Sequence, residues 1–375
     1  MESLLVTYRL QSASEEAQAR AEALALEQTV ELPRELVQNA FVRTHIMGRV
    51  EALEPDPAGG IRARIRYPAQ TIAGNPAQLM NVLFGNCSLQ PDVELVDVEL
   101  PESVRSLFAG PQHGIAGIRA RLQVEKRPLT CTALKPMGLG PEELAGLCEL
   151  FAEAGIDLIK DDHGLADHPF CPFAERIHRC QEAVERAAAR TGRRSWYVPN
   201  LIGRPEELEG QIARARELGI EAVLVAPMLI GLPVFESLVR RFPELVFLAH
   251  PAMAGSGRMA PEVLLGRIFR LMGADAVIFP HAGGRFAYSE ATCAEITQRL
   301  RSPWPPVRSA FPVPAGGLRW EKLADALQFY GPDTIFLMGG ALYEAGPRLK
   351  ERSKAFVEQI HRLAKEGVGV HAGSL

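Results

Sequence analysis

From about residue 115 onward, short apolar runs that end in polar, glycine or proline residues alternate with longer stretches whose apolar positions recur at helical spacing. The runs cover 129–135, 156–162, 195–199, 222–227, 246–251, 274–280, 308–314 and 334–338. Residues 142–154, 172–190, 205–218, 234–241, 261–271, 289–300, 320–329 and 347–363 read as the helices between and after them. Several of these open on proline in the first turn, and Ser289 is placed to cap its own helix. Strand–helix units in series predict parallel strands covered by helices, and eight is the number that closes a (β/α)8 TIM barrel. An open doubly wound sheet is the other reading. Both place chemistry at the carboxyl ends of the strands.

The first 115 or so residues follow a different pattern. Residues 4–10, 41–50, 61–67 and 93–100 read as strands, and 15–27 and 76–83 as helices between them. The order βαββαβ predicts a small ferredoxin-like α+β domain, with Gly59-Gly60 turning a hairpin. The division is therefore 1–115 for this domain and 116–375 for the barrel, with the stretch after Phe108 as the link.

The chain length of 375 residues suits a barrel of about 250 plus such a partner domain. A net charge of −4 gives no electrostatic reason to expect nucleic acid or an anionic membrane as partner. No apolar run approaches the roughly 18 residues of a membrane span, and Met1–Tyr8 does not read as a signal peptide, so a cytoplasmic protein is expected. The six cysteines form no CxxC pair and read as reduced thiols, Cys131 as a core thiol inside a strand.

The strand ends hold the candidate chemistry. The first ends in Lys135-Pro136-Met137-Gly138 and the second in Lys160-Asp161-Asp162-His163. Strand alternation puts Lys160 and Asp162 on one face and Asp161 on the other. A lysine beside an aspartate is not a metal site while it is an ammonium. It becomes one if the neutral amine takes up CO2 as a carbamate, an oxygen ligand suited to Mg2+. An ordinary Lys–Asp ion pair at the barrel mouth is the other reading, and spacing alone does not choose between them.

The fifth strand ends in His250-Pro251-Ala252-Met253, and the sixth runs into His281-Ala282-Gly283-Gly284-Arg285-Phe286. Two histidines facing one mouth together with two lysines point to acid–base work. Gly316-Gly317 follows the seventh strand and Gly339-Gly340 the eighth, where bare backbone N–H groups of barrels commonly hold a phosphate.

These residues together resemble the RuBisCO large-subunit superfamily, and more closely its RuBisCO-like (form IV) proteins. The likeness runs along nearly the whole chain and includes Glu27 in Ala25-Leu26-Glu27-Gln28-Thr29 and Asn86 in Phe84-Gly85-Asn86. It implies that Lys160 is the carbamylated lysine and Asp162 a ligand beside it on one Mg2+ per site, with His163 at the position of a further ligand. Lys135 matches a lysine at the reacting carbons and His250 a substrate-binding histidine. Gly316, Gly317, Gly339 and Gly340 match phosphate-holding backbone, with His281 and Arg285 as further substrate contacts at the mouth. Glu27 and Asn86 match residues that reach into a partner's site, which implies a homodimer with shared sites.

The departures narrow the expectation. His163 stands where the carboxylase has a glutamate, Met137 replaces the second lysine of a Lys-Pro-Lys motif, and Pro251 follows His250 where an arginine would grip a second phosphate. The sixth loop lacks the longer lysine-bearing lid. Carboxylation of ribulose bisphosphate is not expected. What remains is enolate chemistry on a substrate with one phosphate.

The Lys-Asp-Asp-His-Gly-Leu-Ala-Asp string most resembles the branch that handles branched sugar acids, with its 3-oxo-isoapionate 4-phosphate decarboxylase and transcarboxylase/hydrolase. A carbon–carbon lyase or hydrolase of a phosphorylated keto sugar acid, decarboxylation favoured, is therefore the leading expectation. An enolase or isomerase of methylthioribulose-type phosphates, a Schiff-base lyase using Lys135 or Lys160, and a catalytically silent phosphate-ligand binder stay open beside it.

Overall fold

A computed structural model describes residues 2–13, 15–286 and 288–367. Four strands, β1 (Ser3–Leu10), β2 (Arg49–Pro55), β3 (Ile61–Pro68) and β4 (Val93–Glu99), form an antiparallel sheet in the order β2-β3-β1-β4. This is the ferredoxin-like arrangement. In β3 the sequence Ile-Arg-Ala-Arg-Ile-Arg-Tyr buries Ile61, Ala63, Ile65 and Tyr67 and turns the arginines outward. The buried face packs on helices α1 (Ala17–Glu27) and α3 (Pro76–Phe84).

The expected strand at 41–50 is corrected here. Its first half is a short helix, α2 (Ala40–His45), capped by Asn39, whose side chain accepts Val42 N–H at 3.1 Å, and the strand begins only at Arg49. The β-branched and aromatic residues Phe41, Val42 and Thr44 favour strand, but the local cap decides otherwise.

The second region is the parallel barrel. One arc contains β13 (Ile335–Leu337), β5 (Leu129–Ala133), β6 (Leu158–Lys160) and β7 (Trp196–Val198), in that order. The other contains β8 (Asn200–Leu201), β9 (Ala222–Val225), β10 (Val246–Ala249), β11 (Ala276–Pro280) and β12 (Phe311–Ala315). The expected third strand is thus split at Pro199. Proline has no N–H for the ladder, while its carbonyl accepts Leu224 N–H at 2.8 Å. The piece before it pairs with β6 and the piece after it with β9, which joins the arcs. At the other seam β12 and β13 lie side by side.

Alternation along the strands sorts side chains into two cores. Leu129, Cys131, Leu158, Trp196, Leu224, Val246, Leu248, Ile278, Val313 and Ile335 fill the barrel, whereas Ile159, Val223, Phe247, Phe279 and Phe336 face the surrounding helices.

The stretch after Phe108 does more than link. After a short helix α4 (Glu102–Arg105), helix α5 (Gly114–Leu122) inserts Ile118 and Leu122 under the barrel and seals its amino end. Gly114 has φ +58°, and a Cβ there would lie 2.3 Å from the Ser309 carbonyl oxygen, so only glycine fits this entry.

The expected helix at 261–271 contains a π-helical turn at Leu264–Ile268, and Ser289 caps its helix as expected, accepting Thr292 N–H at 3.0 Å. The six cysteines are buried and unpaired. No helix among the described residues is long and apolar enough to cross a membrane. The barrel's last helix is Leu349–Lys365; residues 368–375 of the expected 116–375 span lie outside the described residues.

Candidate active site

The strands converge on a cavity of about 700 Å3 at their carboxyl ends. Lys135, Lys160, Asp162, His163, His250, Arg285, Gly316, Gly317, Gly339 and Gly340 all line it.

The end of β6 splits three consecutive side chains between two environments. Lys160 and Asp162 face the cavity. Asp161 turns outward and is fully buried, accepting Arg176 Nε at 3.0 Å, the Tyr197 hydroxyl at 2.9 Å and Asn200 N–H at 3.0 Å. This anchored carboxylate holds the strand end that aims its two neighbours.

Lys160 is only 3% exposed, and its Nζ makes one hydrogen bond, to the Asp161 carbonyl at 3.0 Å. Burial lowers its pKa, favouring the neutral amine. Asp162 behaves in the opposite way. Burial pushes its carboxyl up, but hydrogen bonds from His163, Lys135 and Gly164 N–H together hold it well below the usual range. His163 Nδ1 lies 3.2 Å from one carboxylate oxygen, and Lys135 Nζ donates to the other.

His163 stacks on His250 with ring centroids 4.0 Å apart and planes within 10°. Burial, followed by the charge of Lys160, lowers the His250 pKa to about 2. Ala252 N–H donates to His250 Nδ1 at 3.1 Å, so the neutral ring carries its proton on Nε2.

The glycine loops have two different reasons to be glycine. Gly317 has φ +138°, and a Cβ on it would sit 2.5 Å from Gly284 Cα, because the loops after β11 and β12 touch there. Gly339 and Gly340 have open space around the Cβ position, so backbone alone faces the cavity. Arg285, which stacks on Phe286 at 5.4 Å, reaches the cavity together with Arg319.

Three expected residues lie elsewhere in this chain. His281 does not line the cavity; its Nδ1 is 2.9 Å from the Tyr330 hydroxyl, within the wall. Glu27 and Asn86 bond each other at 3.0 Å on the exposed surface of the first domain, outside the cavity of their own chain.

Sequence reasoning missed Arg319, Glu344 and Tyr343. Arg319 follows Gly316-Gly317 closely enough for that motif to have flagged it. Tyr343 leaves no such signal: its hydroxyl accepts Lys135 N–H at 3.0 Å and donates to the Ala133 carbonyl at 2.9 Å, pinning the end of β5. The missed apolar part is larger. Met253, Ile278, Phe286, Leu318 and Leu337 add apolar lining to the cavity. Met253 is held there at φ +63°, a strained conformation for a non-glycine residue.

A barrel mouth with a buried lysine, an ionised aspartate and glycine pairs after its last two strands agrees with comparison to known sequences. The model of the ribulose bisphosphate carboxylase large chain, catalytic domain, matches residues 114–345. The chain belongs to this family. It is 44% identical to ribulose bisphosphate carboxylase-like protein 1 of Rhodopseudomonas palustris, over 96% of this chain and 98% of that one. It is 42% identical to 5-methylthioribulose-1-phosphate isomerase of Rhodospirillum rubrum, over 98% of both. The crystal structure of the Rubisco-like protein from Rhodopseudomonas palustris superposes with a TM-score of 0.89 at 43% identity, covering 96% of this chain and 98% of that one. This chain is a RuBisCO-like protein, and of these relatives the one named by an activity is an isomerase, not the decarboxylase that the sequence strings suggested.

Proposed function

We propose that this RuBisCO-like protein isomerises a monophosphorylated ketose with an apolar tail, of the 5-methylthioribulose 1-phosphate class. The observation that carries this reading is the mixed lining of the cavity. Lys135, Lys160, Asp162 and His250 line it together with Met253, Phe286 and Leu318, whose apolar surface suits a thioether better than a second phosphate. The near full-length relative named as 5-methylthioribulose-1-phosphate isomerase supports it.

Isomerisation removes a proton from the carbon beside a carbonyl and returns one to a neighbouring carbon, with an enediolate between. Lys135, as the neutral amine, takes the proton from that carbon, becomes the ammonium paired with Asp162, and returns the proton to the neighbouring carbon. His250, neutral with its proton on Nε2, donates to the oxygen on which charge develops. Arg285, Arg319 and the amides of Gly317 and Gly339 hold the phosphate. Glu27 and Asn86, exposed together on the first domain, complete the site of a second copy in a homodimer.

Among the described residues no three His, Cys, Asp or Glu side chains gather into a metal-binding group. A divalent ion at this mouth therefore needs Lys160 as a carbamate beside Asp162 and His163, and the buried amine with its lowered pKa suits that reaction. When bound, Mg2+ would supply positive charge for the enediolate oxygens.

The test is incubation with 5-methylthioribulose 1-phosphate in D2O, with Mg2+ and bicarbonate, followed by NMR. Deuterium incorporation next to the carbonyl and a new pentulose phosphate are expected. No exchange on that ketose, together with CO2 release from 3-oxo-isoapionate 4-phosphate, would replace this reading with decarboxylation.

A further inference from the structure

Away from the mouth, a second cavity of about 240 Å3 opens between α4, the linker that follows it and the loop that enters β12. Arg105, Ser106, Gln112, Val307 and Arg308 line it, and among the described residues no aspartate or glutamate does. Arginines also crowd the indole behind it. The guanidinium carbons of Arg105, Arg267 and Arg270 lie 5.5, 4.7 and 5.6 Å from the centroid of the Trp304 ring.

The nearby carboxylates are already engaged. Asp97 and Glu295 pair with Arg299, and Glu236 pairs with Arg240. Arg270 spends its donors on the carbonyls of Arg299, Val307 and Arg308, so it stiffens the cavity wall and leaves its charge directly behind it. Arg105 Nε, and Nε and Nη1 of Arg267, are buried without a hydrogen-bond partner. Burial and then the neighbouring guanidiniums of Arg267 and Arg105 lower the pKa of Arg270 to about 10.

Arg105 and Arg308 on one cavity, with a buried N–H group of Arg105 unsatisfied and further arginines packed close to Arg105, are a costly arrangement unless an anion from solution completes it. We propose that this cavity binds a small oxyanion of the phosphate type, gripped by Arg105 of the first domain and Arg308 of the barrel. Its volume lies below the roughly 300 Å3 of ordinary small-molecule sites, which suits phosphate or a short phosphate monoester and excludes a nucleotide. Because the two arginines come from opposite sides of the interdomain linker, the anion also clamps the two domains together. Guanidinium forks match the oxygens of such an ion.

The experiment is calorimetric titration of the full chain with inorganic phosphate at constant ionic strength. Wild type should bind one more phosphate per chain than the Arg105→Gln/Arg308→Gln variant, so phosphate held at the barrel mouth cancels in the comparison. Arg308→Gln alone removes an exposed side chain, is not expected to unfold the protein, and should weaken this binding at least tenfold.

A thermal readout adds a sign. In chloride, Arg105→Gln should melt at a higher temperature than wild type because it relieves like-charge crowding, and it should lose part of the phosphate-induced rise. Equal stoichiometry and affinity in wild type and the double variant would overturn the site, as would an Arg105→Gln variant that melts lower in chloride while keeping the full phosphate response. Competition by glycerol 3-phosphate would identify the ligand as a phosphate ester, and its failure to compete as the free ion.

Discussion

The two ends of the barrel treat buried charge in opposite ways. At the amino end every buried carboxylate is saturated. Asp157 takes both Arg127 nitrogens at 2.6 and 2.7 Å, Thr130 N–H at 2.8 Å and the Thr130 hydroxyl at 2.9 Å. Asp275, completely buried, accepts three backbone N–H groups, from His113, Gly114 and Phe247, within 3.0 Å. Arg119 of α5 ties that seal to Asp333 and to the carbonyls of Val124, Arg127 and Pro332. At the carboxyl end Lys160 has a single carbonyl partner, and His250 is kept neutral among cations. Saturated groups hold the fold. Unsaturated ones are free to meet a ligand, and the same contrast distinguishes the arginines around Trp304 from the rest of the lower half.

Substitutions at the two ends should therefore separate activity from stability. Lys160→Ala should show the largest effect, a loss of turnover of at least ~1,000-fold, about 4 kcal/mol of barrier. Its thermal midpoint should stay or rise, because a buried amine is removed. Substantial remaining turnover would move the chemistry away from β6.

Asp161→Asn sits between the two classes. It strips the fully buried Arg176 of its charge partner and should cost about 3–5 kcal/mol in urea denaturation. Pairing it with Arg176→Met should recover part of that loss; no recovery would show that Asp161 acts through something other than the ion pair.

Asp275→Ala leaves three N–H groups without an acceptor and should cost about 3 kcal/mol at roughly 1 kcal/mol each, with kcat unchanged. A fall in kcat matching that of Lys160→Ala would break the contrast between the ends. The smallest change is expected at Gly340, where a side chain enters open space facing the cavity. Gly340→Val should raise KM about tenfold, or ~1.4 kcal/mol, and leave kcat within about twofold. An unchanged KM would remove that loop from the phosphate site.

Much of this was legible in the chain. Periods of two and of about 3.6 mark the strands and helices, and the strand ends Lys135, Lys160, Asp162 and His250 stand out because polar residues close apolar runs. The misreadings have local or distant causes. A side-chain cap at Asn39 turned a β-favouring stretch into α2, and Pro199 broke a strand without ending it.

The sequence by itself determined the βα succession, the family resemblance, and the neighbourhood of Lys160 with Asp162, since these depend on residues close in the chain. Tertiary structure alone decided that His163 stacks on His250, that Tyr343 pins Lys135, that His281 turns into the wall, and that α5 seals the barrel. It also gathered Arg105, Arg267 and Arg270 around Trp304 and set Arg105 and Arg308 on one cavity. Those contacts join residues tens to hundreds of positions apart, where side-chain direction and burial, not local period, fix which groups meet.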